Sequence, residues 1–348
     1  MMNKVNINMR NIPTDSGSSS VPLVSVVIMA YQRVNLLHFT IDSVLAQTLS
    51  DFELIITDDS NSPEILQMCH DINDVRIKYF GNSTCLGMLE NAKSGMRKAR
   101  GKYIANIHDD DVIEPLFLEK LVQPMEADDA IGLVFCDHTI MDKNGVVDLS
   151  ASANNSRSWG REALPEGVIR MRSDALFSGV IPVPSARLFR ANTIDIEGIP
   201  DEVGVIYDWW MAFLHCTSIY TCYYVPLRLM HYRVHEDSAT SAGNPKYGEG
   251  MAFILSYFMS NNLFPEKSII IKKRLVNTTI NGTKFRLLYG ENDKARENLW
   301  RAFRLTGDLR CGAVYLLAWL PSVITRRFFV LLTHLPIRRS TRIGADGS

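Results

Sequence analysis

Residues 23–30, Leu-Val-Ser-Val-Val-Ile-Met-Ala, form a nearly continuous apolar and largely β-branched run. Such a run reads as a strand covered on both faces, the situation of a strand inside a parallel sheet. Leu36, Leu37, Ile41, Val44 and Leu45 follow at helical spacing, and Phe52 to Thr57 resume a strand that ends in the acidic turn Asp58-Asp59-Ser60-Asn61-Ser62-Pro63. This is a βαβ unit, and ligands of such sheets collect beyond the carboxyl ends of the strands.

The alternation continues. Residues 64–73 read as a helix, Val75 to Phe80 as a half-exposed strand, and 88–100 as a helix stopped by Gly101. Lys102 to Ile107 read as a strand running into His108-Asp109-Asp110-Asp111, with a helix over about 116–127 and a strand over 131–136 beyond it. Residues 142–175 mix Asn, Ser, Gly and Arg and predict a meander or mobile loop. A helix over 207–216 and strands between Tyr220 and Arg233 close this half, after which helices are expected over about 247–260, 266–289, 291–305 and 309–320. The predicted fold class is α/β: a Rossmann-like, mostly parallel, doubly wound sheet with a carboxyl-terminal helical region.

Composition narrows the function. With 37 Lys and Arg against 38 Asp and Glu, the chain has no global field to gather nucleic acid. The six cysteines show no C-x-x-C pair or zinc-type spacing and are expected to be buried thiols. Residues 1–22 are polar and contain no signal-peptide apolar core, so the expected location is cytoplasmic and reducing. The turn Met29-Ala30-Tyr31-Gln32-Arg33 after the first strand lacks glycine, which speaks against nucleotidyltransferases and dinucleotide oxidoreductases.

Three acidic clusters sit at strand or helix ends. A carboxylate of Asp58-Asp59 can accept hydrogen bonds from a base or ribose lying across the sheet, or simply close an Asx turn. Asp109, Asp110 and Asp111 repel one another, which favours a divalent cation over plain helix capping; oxygen ligands suit Mg²⁺ or Mn²⁺. Asp208 stands beside Trp209 and Trp210 at a helix start. There an apolar wall can tune a base, and the indole faces offer a platform for a sugar acceptor, the alternative being an N-cap with core tryptophans. Arg233 and His235 beyond it suit phosphate oxygens or surface ion pairs.

Together, the segments Val24–Arg33, Ser43–Thr48, Asp51–Ser60, Gly101–Ala105 and Asp109-Asp110-Asp111 resemble family 2 glycosyltransferases of the GT-A fold, closely over 23–136 and more loosely over about 180–240. The resemblance implies that Ala30, Tyr31 and Arg33 border the nucleotide and that Asp59 receives its base. It implies Asp109 near the ribose or a metal-bound water, Asp110 as direct metal ligand with Asp111 and His235 as further candidates, and Asp208 as catalytic base. His108 stands where many relatives carry an acid, and Val205-Ile206 where relatives often carry Glu-Asp.

The implied function is an inverting, Mn²⁺- or Mg²⁺-dependent transfer from a UDP- or dTDP-linked sugar to an acceptor hydroxyl. The acceptor class it suggests is a glycan or lipid-linked oligosaccharide in bacterial surface polysaccharide synthesis. A sugar-nucleotide or glycan-binding module without catalysis is the alternative. The expected organisation is a flexible tail over 1–22, a GT-A domain over 23–240 split at 115/116 into nucleotide and acceptor halves, and helices over 241–348. Arg326, Arg327, Arg338, Arg339 and Arg342, with no carboxylate between Pro321 and Ile343, add an amphipathic basic end suited to peripheral contact with the inner face of the cell membrane.

Overall fold

The structure, a computed structural model, describes residues 21–170, 172–235, 245–288 and 290–320. Two compact units emerge among them, one built from residues 21–199 and 211–235 and the other from 200–210 and 245–320. The expected tail over 1–22 lies almost wholly outside the described residues, and so does the basic end over 321–348.

The first unit opens with β1 (Val24–Ala30), α1 (Val34–Leu45), β2 (Phe52–Asp58), α2 (Pro63–Ile72), β3 (Ile77–Gly81), α3 (Met88–Lys98) and β4 (Tyr103–His108). It continues with β5 (Val112–Ile113), α4 (Phe117–Ala127), β6 (Ile131–Met141), β7 (Val147–Asp148), α5 (Leu149–Ser158), β8 (Gly167–Ile169), α6 (Arg172–Ser178) and β9 (Arg187–Arg190). Helix α7 (Tyr207–Thr217), which belongs to this unit from Met211 onward, and β10 (Thr221–Arg233) follow. The sheet order is β3-β2-β1-β4-β9-β6-β10-β5. Strands β3, β2, β1 and β4 pair in parallel, as do β6 and β10, whereas β9 is antiparallel to both its neighbours and β5 to β10. The mostly parallel α/β sheet predicted from the apolar runs is therefore present, and β1 and β2 are buried along their whole length.

Local chemistry explains the elements that place the strand ends. Ser62 caps α2 by accepting from the Glu64 and Ile65 amides, with Pro63 in the first turn, where its missing N–H is harmless. Helix α1 turns Leu37, Ile41 and Val44 into the core, and α3 lies so close to β1 that a Cβ on Gly95 would stand 2.3 Å from a Val27 methyl carbon. One continuous apolar core follows, running from Val24, Ile28 and Leu54 through Ile107 and Phe117 to Val134 and Met230.

Residues 142–175 depart from the expected meander or mobile loop, because α5 occupies their centre. Its Ser- and Asn-rich sequence has no apolar stripe; hydrogen bonds hold it instead. Asp148 caps it through the Ala151 amide, Ser152 accepts from the Ile140 amide at 2.8 Å, and Ser156 donates to Asp137 at 2.5 Å. The buried Arg161 guanidinium completes that cluster with a 2.7 Å bond to Asp137. Among the cysteines, five are buried as expected, but Cys85 is exposed.

His215 on α7 is fully enclosed, and neither of its ring nitrogens has a hydrogen-bond partner among the described residues. Burial, with the Arg187 charge acting in the same direction, pushes its pKa down to about 3. An unfolded histidine titrates near ~6.5. Between those values the unfolded chain binds the extra proton, so the stability contribution is complete above the unfolded value and is lost as pH falls below it. The expected slope from this residue is about 1.4 kcal/mol per pH unit. Urea midpoints at pH 7 and pH 5 check this: His215→Phe should lose less stability between them than the wild type, and equal losses would contradict it.

In the second unit, α8 (Pro245–Ser260), α9 (Ser268–Leu288), α10 (Asn292–Thr306) and α11 (Leu309–Leu317) form the expected helical region. A Cβ on Gly250 would meet the Val203 carbonyl oxygen at 2.3 Å, so α8 can approach the short 3₁₀ segment Asp201–Ile206 only with glycine there. Leu287, Ala295, Leu299 and Ala318 form a small separate core. Among the described residues no helix is long and apolar enough to cross a membrane.

Candidate active site

The parallel register sets Ala30 at the end of β1 beside Asp58 of β2, and Met29 beside His108 of β4. The acidic turns therefore leave the sheet side by side. Asp109 accepts the Tyr31 amide at 2.9 Å through one oxygen and the Arg33 guanidinium at 3.0 Å through the other. The same Arg33 nitrogen reaches Asp110 at 2.7 Å, and His235 Nε2 lies 2.9 Å from that carboxylate oxygen. Tyr31, Arg33, Asp109, Asp110 and His235 thus converge, although they come from three separate stretches of chain.

The three adjacent aspartates do different things. Asp111 has no exposed surface; Ser185 Oγ donates to it at 2.6 Å and the Arg233 amide at 3.1 Å. Burial, reinforced by the Asp110 charge, holds its carboxyl well above the usual range. Burial also pushes Asp109 up to about 7, with Arg33 opposing and Asp110 adding to the rise. The Arg233 guanidinium, expected to suit phosphate, instead donates to the carbonyls of Asp110, Asp142 and Lys143 and pins the acidic loop.

His108, Asp110 and Asp111 each offer a ligand atom, all lying within 4.8 Å of one another. Two carboxylates and an imidazole on a rigid strand end suit Mn²⁺ or Mg²⁺, which favour oxygen donors and leave positions for water and phosphate. The residues present therefore fit a divalent cation. His108 was not legible as part of this group from sequence, where it counted only as a departure from the usual acid; its one signal is its place at the end of β4.

On the β2 side, Asp58 is a turn residue: it accepts from the Ser60 and Ser62 amides and from the Tyr79 hydroxyl. Asp59 accepts the Leu86 and Gly87 amides at 2.6 and 2.8 Å, Asn82 Nδ2 at 3.1 Å and the Cys85 thiol at 3.2 Å. It therefore ties the loop after β3 to the end of β2. Ala30 has no exposed surface, and its carbonyl accepts the Asp59 amide at 2.9 Å. Its side chain cannot border a nucleotide as expected, and its part is to hold Asp59. Tyr31, by contrast, is exposed.

Asp208, Trp209 and Trp210 belong to the second unit. Trp210 is buried against Phe253 and Tyr257, which leaves its indole no free face for an acceptor, whereas Trp209 is partly exposed and meets Phe258. Tyr247, which sequence reasoning missed, feels the Asp208 charge: burial first and that carboxylate second push its phenol up to about 12, with Arg274 opposing.

The mostly parallel sheet with acids at its strand ends, together with a carboxyl-terminal helical region, has the GT-A fold. The Staphylococcus aureus protein TarS (1–349), in a crystal structure in complex with UDP-GlcNAc, shares it at TM-score 0.61 and 13% identity over 89% of this chain and 91% of that one. Residues 25–174 match the family model for glycosyl transferase family 2. A glycosyltransferase of Rickettsia prowazekii is 24% identical over 63% of this chain and 66% of its own length. An Escherichia coli protein, UDP-Glc:alpha-D-GlcNAc-diphosphoundecaprenol beta-1,3-glucosyltransferase WfaP, is 35% identical over 26% of this chain and 36% of its own. The chain thus matches at most 66% of the length of these two relatives.

Proposed function

We propose that this chain moves a sugar from a nucleotide-sugar donor to an acceptor hydroxyl with inversion at the anomeric carbon. The observation that carries this reading is the convergence of Tyr31, Arg33, Asp109 and Asp110, all within the stretch that matches the family 2 model, with His235 from beyond it. Tyr31 and the turn it opens line the nucleotide, with Asp59 shaping the loop that faces the base. Asp110 is the principal metal ligand, His108 and Asp111 complete the donor set, and Asp109 orients Arg33. A divalent cation held there, when bound, supplies positive charge opposite the departing diphosphate. Asp208 removes the proton from the attacking hydroxyl, so no nucleophile on the protein is needed.

The names of the relatives favour UDP over dTDP as the donor carrier and a polyprenyl-diphosphate-linked sugar as the acceptor class, and such an acceptor is compatible with a reaction at the inner face of the cell membrane. Thermal shifts of the full chain with UDP- and dTDP-sugars, with and without Mn²⁺, test the reading. A donor present at 100 times its Kd should add about 2.7 kcal/mol of apparent stability, and only when Mn²⁺ is present. No shift with any sugar nucleotide would contradict it.

A further inference from the structure

The turn between α7 and β10 joins two cysteines whose thiols meet. Cys216 lies in the last turn of α7 and Cys222 near the start of β10, six positions later in the chain. Cys216 is 5% and Cys222 1% exposed, and the two thiols are hydrogen-bonded to each other. Ile219, between them in sequence, is 82% exposed, so the turn that joins the pair runs along the surface. Arg172, at the start of α6, pins that turn by donating to the Ser218 carbonyl at 2.6 Å and the Tyr220 carbonyl at 2.8 Å.

This pair differs from the other buried cysteines. Burial pushes the Cys69 and Cys311 thiols up to about 11 and the Cys136 thiol up to about 12, so all three stay protonated and inert. At Cys222 the hydrogen bond from Cys216 acts first and outweighs burial, and the Arg172 and Arg187 charges add to it, so this thiol is held below its usual range. The same bond, followed by burial and the Cys222 charge, pushes Cys216 well up. One sulfur is thus prepared as a nucleophile, and a second thiol touches it. Disulfide formation needs those two things.

We propose that Cys216 and Cys222 form a redox-modification site, closed to an intramolecular disulfide by hydrogen peroxide, an oxidant small enough to enter when a surface turn opens locally. The Cys222 thiolate attacks one peroxide oxygen, the O–O bond breaks, and the departing hydroxide takes up the proton that Cys222 had released. Cys222 is then a sulfenic acid. The Cys216 sulfur attacks it, the S–S bond forms, the S–O bond breaks, and water leaves with the Cys216 proton. Two thiols and one peroxide become one disulfide and two waters, with two electrons passing from sulfur to oxygen. The bond ties the carboxyl end of α7, the helix that opens with Tyr207 and Asp208, to β10. In a reducing compartment it is transient, formed under peroxide and removed by thiols. The step uses neither sugar nucleotide nor metal and stands whether or not the chain transfers sugar.

Peptide mapping of the full chain after hydrogen peroxide, with remaining thiols then blocked by iodoacetamide, tests the proposal. The peptide that holds both residues should be lighter by two hydrogen atoms and unalkylated at both positions, and dithiothreitol should reverse the change. The pair should react about tenfold faster, or more, than Cys69, Cys136 and Cys311. In Cys216→Ser, Cys222 should stop at the sulfenic acid, which dimedone captures. In Cys222→Ser, Cys216 should remain alkylated. Should either variant melt early, the wild-type peptide gives the reading by itself. Alkylation of both positions in wild-type chain whose exposed Cys85 has been oxidised would overturn the proposal. So would equal rates at all five buried cysteines.

Discussion

Asp208→Asn is expected to lower turnover by about 10²–10⁴-fold, the span that general-base catalysis usually supplies. Asparagine keeps the size and much of the hydrogen bonding of the side chain but accepts no proton from an attacking hydroxyl. Donor affinity should stay within about twofold, because the proposed nucleotide site lies at the other acidic cluster and kcat, not KM, carries a step made only in the transition state. Steady-state kinetics on the variant, with UDP release as readout, make the check. Lost donor affinity with unchanged kcat would remove Asp208 from the chemistry. The same measurement separates an enzyme from a binding module, since a module without catalysis shows no UDP release to lose.

Asp110→Ala is expected to abolish metal-dependent donor binding. Asp110 meets both Arg33 and His235, and its carboxylate also lies in the group with His108 and Asp111. Loss of a direct ligand should weaken Mn²⁺ binding by more than the ~10–100-fold typical of changes among the groups that only support ligands. Removal of the carboxylate also takes one charge partner from Arg33, so some loss of stability should accompany the effect. Mn²⁺ titration followed by electron paramagnetic resonance reads the affinity directly, without need of an acceptor. An unchanged titration would place the cation elsewhere. Asp111→Ala should weaken Mn²⁺ binding as well and cost more stability than Asp110→Ala, since Asp111 has no exposed surface and accepts from Ser185 and the Arg233 amide.

Much of the sheet was legible because a strand covered on both faces has no choice but to be apolar, as β1 and β2 are. The acidic turns were legible for the same reason, since a carboxylate directly after such a strand stands out. What neighbouring acids do is another matter. Asp58 and Asp59, or Asp110 and Asp111, differ in role because adjacent residues point to different sides, and their partners come from far along the chain. Ser185 and Arg233, which enclose Asp111, lie 74 and 122 positions away from it. No local pattern could announce them. Helix α5 was hidden because serine hydroxyls and an aspartate cap, rather than an apolar stripe, hold it in place. Trp210 misled in the opposite direction: an aromatic beside an acid reads as a sugar platform until its neighbours Phe253 and Tyr257 are known.

The most direct test of the central claim is an anomalous difference map at the manganese edge, from crystals grown with UDP and Mn²⁺. The expected result is one peak at the end of β4, about 2.1 Å from an Asp110 carboxylate oxygen and in contact with the diphosphate. A peak away from Asp110, or UDP bound without metal and remote from Tyr31, would contradict it.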